Sequence, residues 1–282
     1  MEVAPEHDHT ADGGHASTCP SCTGVPGAAF VYALGRIEPR FPSIGVEKEF
    51  AQVVARGDSK GKTDREMLHA VLTERENRYL SRQLCWVLTI QGLETYVLTP
   101  RDPVDLELLV DAIRPRPHPT DLDAVIGSLG PMAPPEVCNG LMLPIVVVDQ
   151  IYSFDRDSLL KAIPRPAKVG AKEFQAAAGE LFDRILQLTD NAGATDENRA
   201  LNYLSLRYPA IYAKTAEQFD AGASLSAVEV RPSPLSGVRH IVDVVFSYTH
   251  RATDVTDKFF TRVDVSEKFP FLVTKLSPYF DR

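Results

Sequence analysis

"LCWVLTIQGLETYVLTP", residues 84–100, is two runs rich in β-branched and aromatic residues around a single glycine, Gly92. In an extended chain successive side chains point to opposite faces, so Leu84, Trp86, Leu88 and Ile90 share one face and Cys85 lies on the other. The stretch therefore reads as a β-hairpin turning near Gly92. A two-stranded hairpin cannot hold itself together in water. The rest of the chain must cover its apolar face.

Reading outward toward the N-terminus, "FVYALGRI" (30–37) is a strand, ended by "EPRFP" with Pro39 and Pro42. A helix is expected from Ile44 to Arg56, with Val46, Phe50, Val53 and Val54 on one face. After a loop from Gly57 to Lys62, Thr63 and Glu66 form a capping box. The helix they open carries Leu68, Val71, Leu72 and Tyr79 on one stripe. Toward the C-terminus, "PVDLELLVDAI" (103–113) is helical and "RPRPHP" breaks it. "DAVIGSLG" and "LMLPIVVVDQIYSF" are short continuous apolar runs, expected as buried strands. The proline-rich "PMAPPEVCNG" joins them and carries Cys138.

The second half turns helical. "DRDSLLKAI" is capped by Asp155 or Asp157. "AKEFQAAAGELFDRILQLTD" is the strongest helix, with Phe174, Ala178, Leu181, Phe182 and Ile185 as its stripe. One or two more helices lie in 196–219, and "SAVEVRP", "RHIVDVVFSYT" and "KFFTRVDV" return to strand. This order predicts an α+β fold: mixed sheets with several packed helices, in one domain over residues 17–282. Residues 1–16, polar and bearing His7, His9 and His15, are expected to be a disordered tail.

At 282 residues and 44% hydrophobic content the chain can bury a large core. Its net charge of −8 argues against nucleic acid as a partner, because phosphate binding needs a basic surface. The most apolar stretch, "LMLPIVVV", is far shorter than the roughly 20 residues a bilayer requires, so no membrane partner is expected. The first fifteen residues lack the apolar core of a signal peptide. A cytoplasmic location is expected, and there a C-x-x-C is more often metal-binding or redox than a structural disulfide.

The chain has four cysteines: Cys19, Cys22, Cys85 and Cys138. "CPSCTG" (19–24) has the form of a zinc knuckle, whose tight turn brings two thiolates onto one ion at about 2.3 Å. Pro20 stiffens the turn and Gly24 tolerates positive φ. Cys138-Asn139-Gly140 offers similar turn chemistry around one thiolate, and Cys85 would come from a strand. Four sulfurs are what a closed tetrahedral Zn2+ site needs, and such a site is structural because it leaves no position for water. A redox C-x-x-C, or a fortuitous one beside two buried free cysteines, stays open as an alternative. The sequence lacks G-x-S-x-G, P-loop, G-x-G-x-x-G and H-E-x-x-H motifs. His240 and His250 read as ordinary surface or half-buried residues. Asp149, at the end of "IVVVD", reads as a helix cap or local hydrogen-bond acceptor, with a catalytic carboxylate as the alternative. Asp121 and Asp123 read as a solvated strand edge. No catalytic residue is assigned.

"CPSC", "FVYALGRIEPRFPSIGVEKEFAQ", "CNGLMLPIVVVDQIYSFDRDSL" and "RVDVSEKFPFLVTKLSPYFDR" together resemble the C-terminal domain of unknown function of PatG-type cyanobactin maturation proteases, from about Cys19 to Arg282. The resemblance implies a dimer-forming α+β domain with zinc held by Cys19, Cys22, Cys85 and Cys138, and no established activity. No protease domain accompanies it, so a stand-alone accessory protein is expected. It implies a non-catalytic scaffold in ribosomal peptide maturation, with a precursor peptide or maturation enzyme as partner. An uncharacterised peptide-modifying enzyme, using the Asp149 region, is the rival, and a redox protein using Cys19 and Cys22 a third. The apolar C-terminal stretch "EKFPFLVTKLSPYF" either folds into its own core or packs across a two-fold interface.

Overall fold

The computed structural model describes residues 29–57, 60–188 and 190–280. The expected tail and the knuckle cysteines Cys19 and Cys22 lie outside them. Strand β1 (Phe30–Arg40) runs on into helix α1 (Ile44–Arg56), whose N-terminus Ser43 caps. The Thr63–Glu66 capping box opens α2 (Asp64–Thr73) as expected, but a 3-10 turn at Arg75–Asn77 then breaks the helix before α3 (Arg78–Gln83). Tyr79 therefore leaves the expected stripe and is 41% exposed. The hairpin is β2 (Cys85–Ile90) and β3 (Leu93–Pro100), followed by α4 (Leu106–Asp111), β4 (Asp121–Met132) and β5 (Pro144–Asp155).

These five strands close into a barrel in the order β1-β2-β3-β5-β4. All its pairings are antiparallel except β3 with β5. Closure removes the open edges that a small sheet would otherwise expose. The row through Ala29, Leu129, Val146, Leu98 and Trp86 returns to β1 at Pro39, a shear of 39 − 29 = 10 residues over five strands. This is the partly helix-plugged, five-stranded Greek-key arrangement of OB-type barrels. Trp86, Leu88, Tyr96, Leu98, Val125 and Val146 fill the interior, and α2, α3 and α4 close its end with Val71, Leu72, Leu80 and Leu109.

Asp155 caps α5 (Arg156–Ala162), resolving the choice between Asp155 and Asp157. Helices α6 (Ala171–Leu186), α7 (Asp196–Arg207) and α8 (Ala210–Asp220) follow, and every residue of the expected α6 stripe is buried. They lie between the barrel and a second sheet, β6 (Ala223–Pro232), β7 (Ile241–His250), β8 (Thr256–Asp264) and β9 (Phe271–Pro278), in that order. Leu34 and Ala124 of the barrel, the α6 stripe, and Val244 and Phe246 of β7 share one core. The two sheets and the packed helices bear out the α+β expectation, although only the barrel is mixed, the β6–β9 sheet being wholly antiparallel. Gly193, at φ +72°, is the point where the segment before α7 touches the barrel: a Cβ there would stand 2.3 Å from the Tyr32 carbonyl oxygen.

The C-terminal stretch is divided between its two readings. As edge strand β9 it turns Leu272 and Leu276 toward the core, while Phe269, Phe271 and Val273 stay exposed. The solvated-edge expectation for Asp121 and Asp123 is overturned, since they are only 7% and 1% exposed. Asp123 accepts from the Ile37 amide (2.9 Å), Ser153 Oγ (2.7 Å) and Arg114 (3.3 Å). Asp121 pairs with Arg114 at 3.5 Å. A buried carboxylate needs such partners, and Arg114 reaches both from the linker before β4.

Candidate functional site

Cys85 opens β2 on the parity opposite Trp86, so its side chain points out of the barrel. With Val87, Val97 and the half-buried Ile145 it forms a patch on the outer β2–β3–β5 face. In OB-type barrels this face, with the β1–β2 and β4–β5 connections, is where oligonucleotides or oligosaccharides bind. Here the β4–β5 connection, residues 133–143, folds back over it. Ala133, Leu141 and Leu143 pack onto the patch, and the Ala133 amide donates to the Leu143 carbonyl at 2.7 Å.

Cys138 sits at the crest of that connection. Val137 bonds back to Pro134 and Gly140 to Pro135, and Asn139 (φ 50°) and Gly140 (φ 86°) turn the chain through the left-handed region. Asparagine and glycine are the residues that tolerate that region best. The turn lowers Cys138 onto Cys85. The two form a disulfide, with Cα atoms 5.4 Å apart. The sulfurs are enclosed, their residues being 4% and 3% exposed. Beside them a cleft of about 590 Å³ is lined by Arg40, Phe41, Glu47, Glu94, Cys138 and Asn139. Arg40 and Glu94 form an ion pair there. Among the described residues no group of three or more His, Cys, Asp or Glu converges to hold a metal ion. The structure thus brings together two of the four expected zinc ligands.

Asp149 is not a helix cap. It lies between Arg101 (2.5 Å) and Lys268 (2.8 Å), the latter from the β8–β9 turn. Burial pushes its carboxyl up, but the hydrogen bonds from Arg101 and Lys268 outweigh that and hold it below the ordinary value. For Asp123 the balance is reversed: burial wins over Ser153, the Ile37 amide and Arg114, and the carboxyl is raised. Asp155 is lowered to about 2 by hydrogen bonds from Thr120 and Ser158. His240 is 2.8 Å from Asp196 at the surface, and His118 is 2.6 Å from Thr120.

The residue that sequence reasoning passed over is Arg199. It is 3% exposed near the N-terminal end of α7. Its Nη1 donates to the Val265 carbonyl at 2.7 Å, its Nη2 to that of Glu267, and its guanidinium lies 5.3 Å from the Phe30 ring. One clue was available: Arg199, Asn202 and Ser205 recur every three residues, a polar row among the buried residues of the helix. Asn202 is fully buried and bonds to Asn191 and the Tyr32 carbonyl.

Two comparisons bear on this architecture. The family model described as PatG C-terminal matches residues 168–279, which span α6 to β9. No curated protein matches the chain. A solved structure titled "PatG Domain of Unknown Function" superposes with a TM-score of 0.72 at 19% identity, covering 89% of this chain and 99% of that one. The barrel, the helical layer and the second sheet therefore share the fold of that solved structure, and over residues 168–279 the sequence also resembles the PatG C-terminal family.

Proposed function

We propose that the chain is a non-catalytic accessory or scaffold protein in the maturation of ribosomally made, cyanobactin-like peptides, with zinc held by Cys19, Cys22, Cys85 and Cys138. The likeness to PatG supports the pathway. The observation that carries the non-catalytic reading is how fully the buried charges are used. Asp121 and Asp123 are bound to Arg114, Asp243 to Arg262, and Asp264 to Arg239 and the Ser266 amide. Asp149, the carboxylate on which an enzymatic reading rests, is held by two cations. Each is fixed by its neighbours and is poorly placed to move a proton.

Two observations support the metal. Ligands at about 2.3 Å on a tetrahedron stand roughly 3.8 Å apart, which side-chain rotation allows from a Cα separation of 5.4 Å. The chain also has the reach. Ala29 lies on the row of Trp86, next to Cys85, four strand spacings away, or at most about 19 Å. Cys22 precedes Ala29 by 29 − 22 = 7 residues, an extended span of roughly 23–25 Å. Bound there, the ion would supply cross-linking and no chemistry.

The protein acts by binding a precursor peptide or maturation enzyme in the cytoplasm, as a homodimer. Phe271 and Val273 on edge strand β9, with Phe269 in the turn before it, give an apolar surface suited to a second copy or to an added strand. The test is to incubate the protein alone with its cluster's precursor peptide. Retention of the peptide with its mass and fragmentation unchanged is expected. A changed peptide, with the change abolished by Asp149→Ala, would establish the enzymatic reading instead. Light scattering should give twice the 31.1 kDa chain mass, and a mass of one chain at micromolar concentration would reject the dimer.

A further inference from the structure

The ligand face of the barrel is only partly covered. Beside the β4–β5 connection two hollows meet at Phe41 and Glu47, which line both. The first is the cleft of about 590 Å³ between the end of β1, Glu94 of β3 and the 138–141 turn. The second, of about 620 Å³, is a trough between α1 and α2 lined by Phe50, Val54, Met67 and Leu68. The rings of Phe41 and Phe50 lie 5.3 Å apart. Helix α1 has an apolar face, Val46, Phe50, Val53 and Val54, yet none of its residues is fully buried. An apolar surface rimmed by polar groups marks an interaction site.

The charges around these hollows select the occupant. Arg40 is taken by Glu94, and Arg65 by Glu38 (3.9 Å) and the Arg114 carbonyl (2.9 Å). Among the described residues Glu47 and Asp64 have no ion-pair partner. Each stands in the first turn of its helix, where the dipole favours an ionised carboxylate. Nucleic acid on an OB-type face needs free cations for its phosphates. Here the two arginines are committed and the two carboxylates are free, so the lining complements a cation. We propose that the cleft and trough bind a peptide segment in which a large apolar residue stands beside a lysine or arginine. The apolar side chain enters the α1–α2 trough and the cation meets Glu47 at the junction. This rests on the peptide-binding reading above and gives it a place and a chemistry. Met67, with its flexible thioether, lets the trough fit apolar side chains of different shape. The site therefore reads a pattern of one apolar and one basic group and not a single sequence.

The test titrates the full chain into a fluorescein-labelled octapeptide, a central phenylalanine–lysine pair flanked by glycines and serines, and reads anisotropy. Saturable binding is expected. It should weaken about ten- to a hundred-fold when glycine replaces the probe's phenylalanine, and about three-fold when norleucine replaces its lysine, as for a partly exposed ion pair. Glu47 and Ala51 are exposed, so their replacement spares the core. Glu47→Lys should reverse the preference, binding a glutamate probe more tightly than the lysine probe, whereas a structural role would weaken both alike. Ala51→Gln, which puts a polar side chain into the trough, should weaken the lysine probe and leave the charge preference unchanged. Probe binding indifferent to both variants overturns the site. So does the absence of saturable binding at millimolar probe while the cluster's precursor peptide is still retained, and either result leaves the scaffold reading standing. A precursor peptide recovered with altered mass, with the Glu47→Lys reversal intact, overturns the non-catalytic reading and leaves the site. Oligothymidylate that outcompetes the lysine probe, or self-association abolished by Glu47→Lys with no probe bound, assigns the face to nucleic acid or to a second copy and overturns the proposal.

Discussion

Replacing Arg199 with methionine isolates the contribution of the clamp that joins α7, the β8–β9 turn and the start of β1. Methionine keeps much of the stem's packing volume and removes every polar contact. The carbonyls of Val265, Glu267 and Lys268 lose a charged donor, Asp196 loses its ion pair, and Phe30 loses the cation over its ring. Hydrogen bonds to a charged donor contribute about 1.5–3 kcal/mol each, and a cation–π contact adds about 0.5–2 kcal/mol. Against this, methionine removes the cost of burying the charge, which depresses the affinity of Arg199 for its proton. A net loss of about 3 kcal/mol follows, at the low end for breaking a buried charged cluster. For chains approaching this size 1 kcal/mol corresponds to about 2–4 °C in Tm, so the midpoint should fall by roughly 6–12 °C. Hydrogen exchange should quicken first in the β8–β9 turn and at Phe30. A midpoint within 1–2 °C of the parent, with unchanged exchange in the turn, would refute the clamp.

Leu181, fully buried in the α6 stripe, should cost about 3–4 kcal/mol when cut to alanine, read by urea denaturation. Gly193→Ala should cost at least about 2 kcal/mol, because it adds left-handed strain to a clash with Tyr32; a neutral result in the same assay would remove that contact from the account. The Asp155 carboxyl, lowered to about 2 in the fold, stabilises α5 above its unfolded value near 4, and this is lost as pH falls through the folded value. The gap in Tm between the parent and Asp155→Ala should therefore be widest above about pH 5 and narrow toward pH 2; a gap that widens in acid would contradict the sign.

Local chemistry was legible in the chain. The alternation around Gly92, the Thr63–Glu66 box, an aspartate cap at Asp155 or Asp157 and the α6 stripe are interactions between residues a few positions apart. Their short range is why they could be read directly. The closed barrel was not legible, since it depends on the parallel pairing of Val97 with Ile145 and on Phe30 meeting Ser128. Asp123 looked like a surface residue because its amide partner, Ile37, is 86 positions away. Strand β9 was hidden because an edge strand buries only alternate residues and its stretch carries prolines. For the cysteine centre, strand parity placed Cys85 outward and Asn139-Gly140 marked a turn at Cys138. That the turn lands on Cys85 follows from the barrel register, which no local pattern encodes.

The direct test of the central claim, a four-cysteine metal centre built on Cys85 and Cys138, is metal analysis with X-ray absorption on the full chain purified under reducing conditions. The account predicts about one zinc per chain surrounded by four sulfurs at about 2.3 Å, with one of those sulfurs lost from the shell in Cys138→Ser. A chain free of zinc, with all four thiols titrating freely, would contradict it.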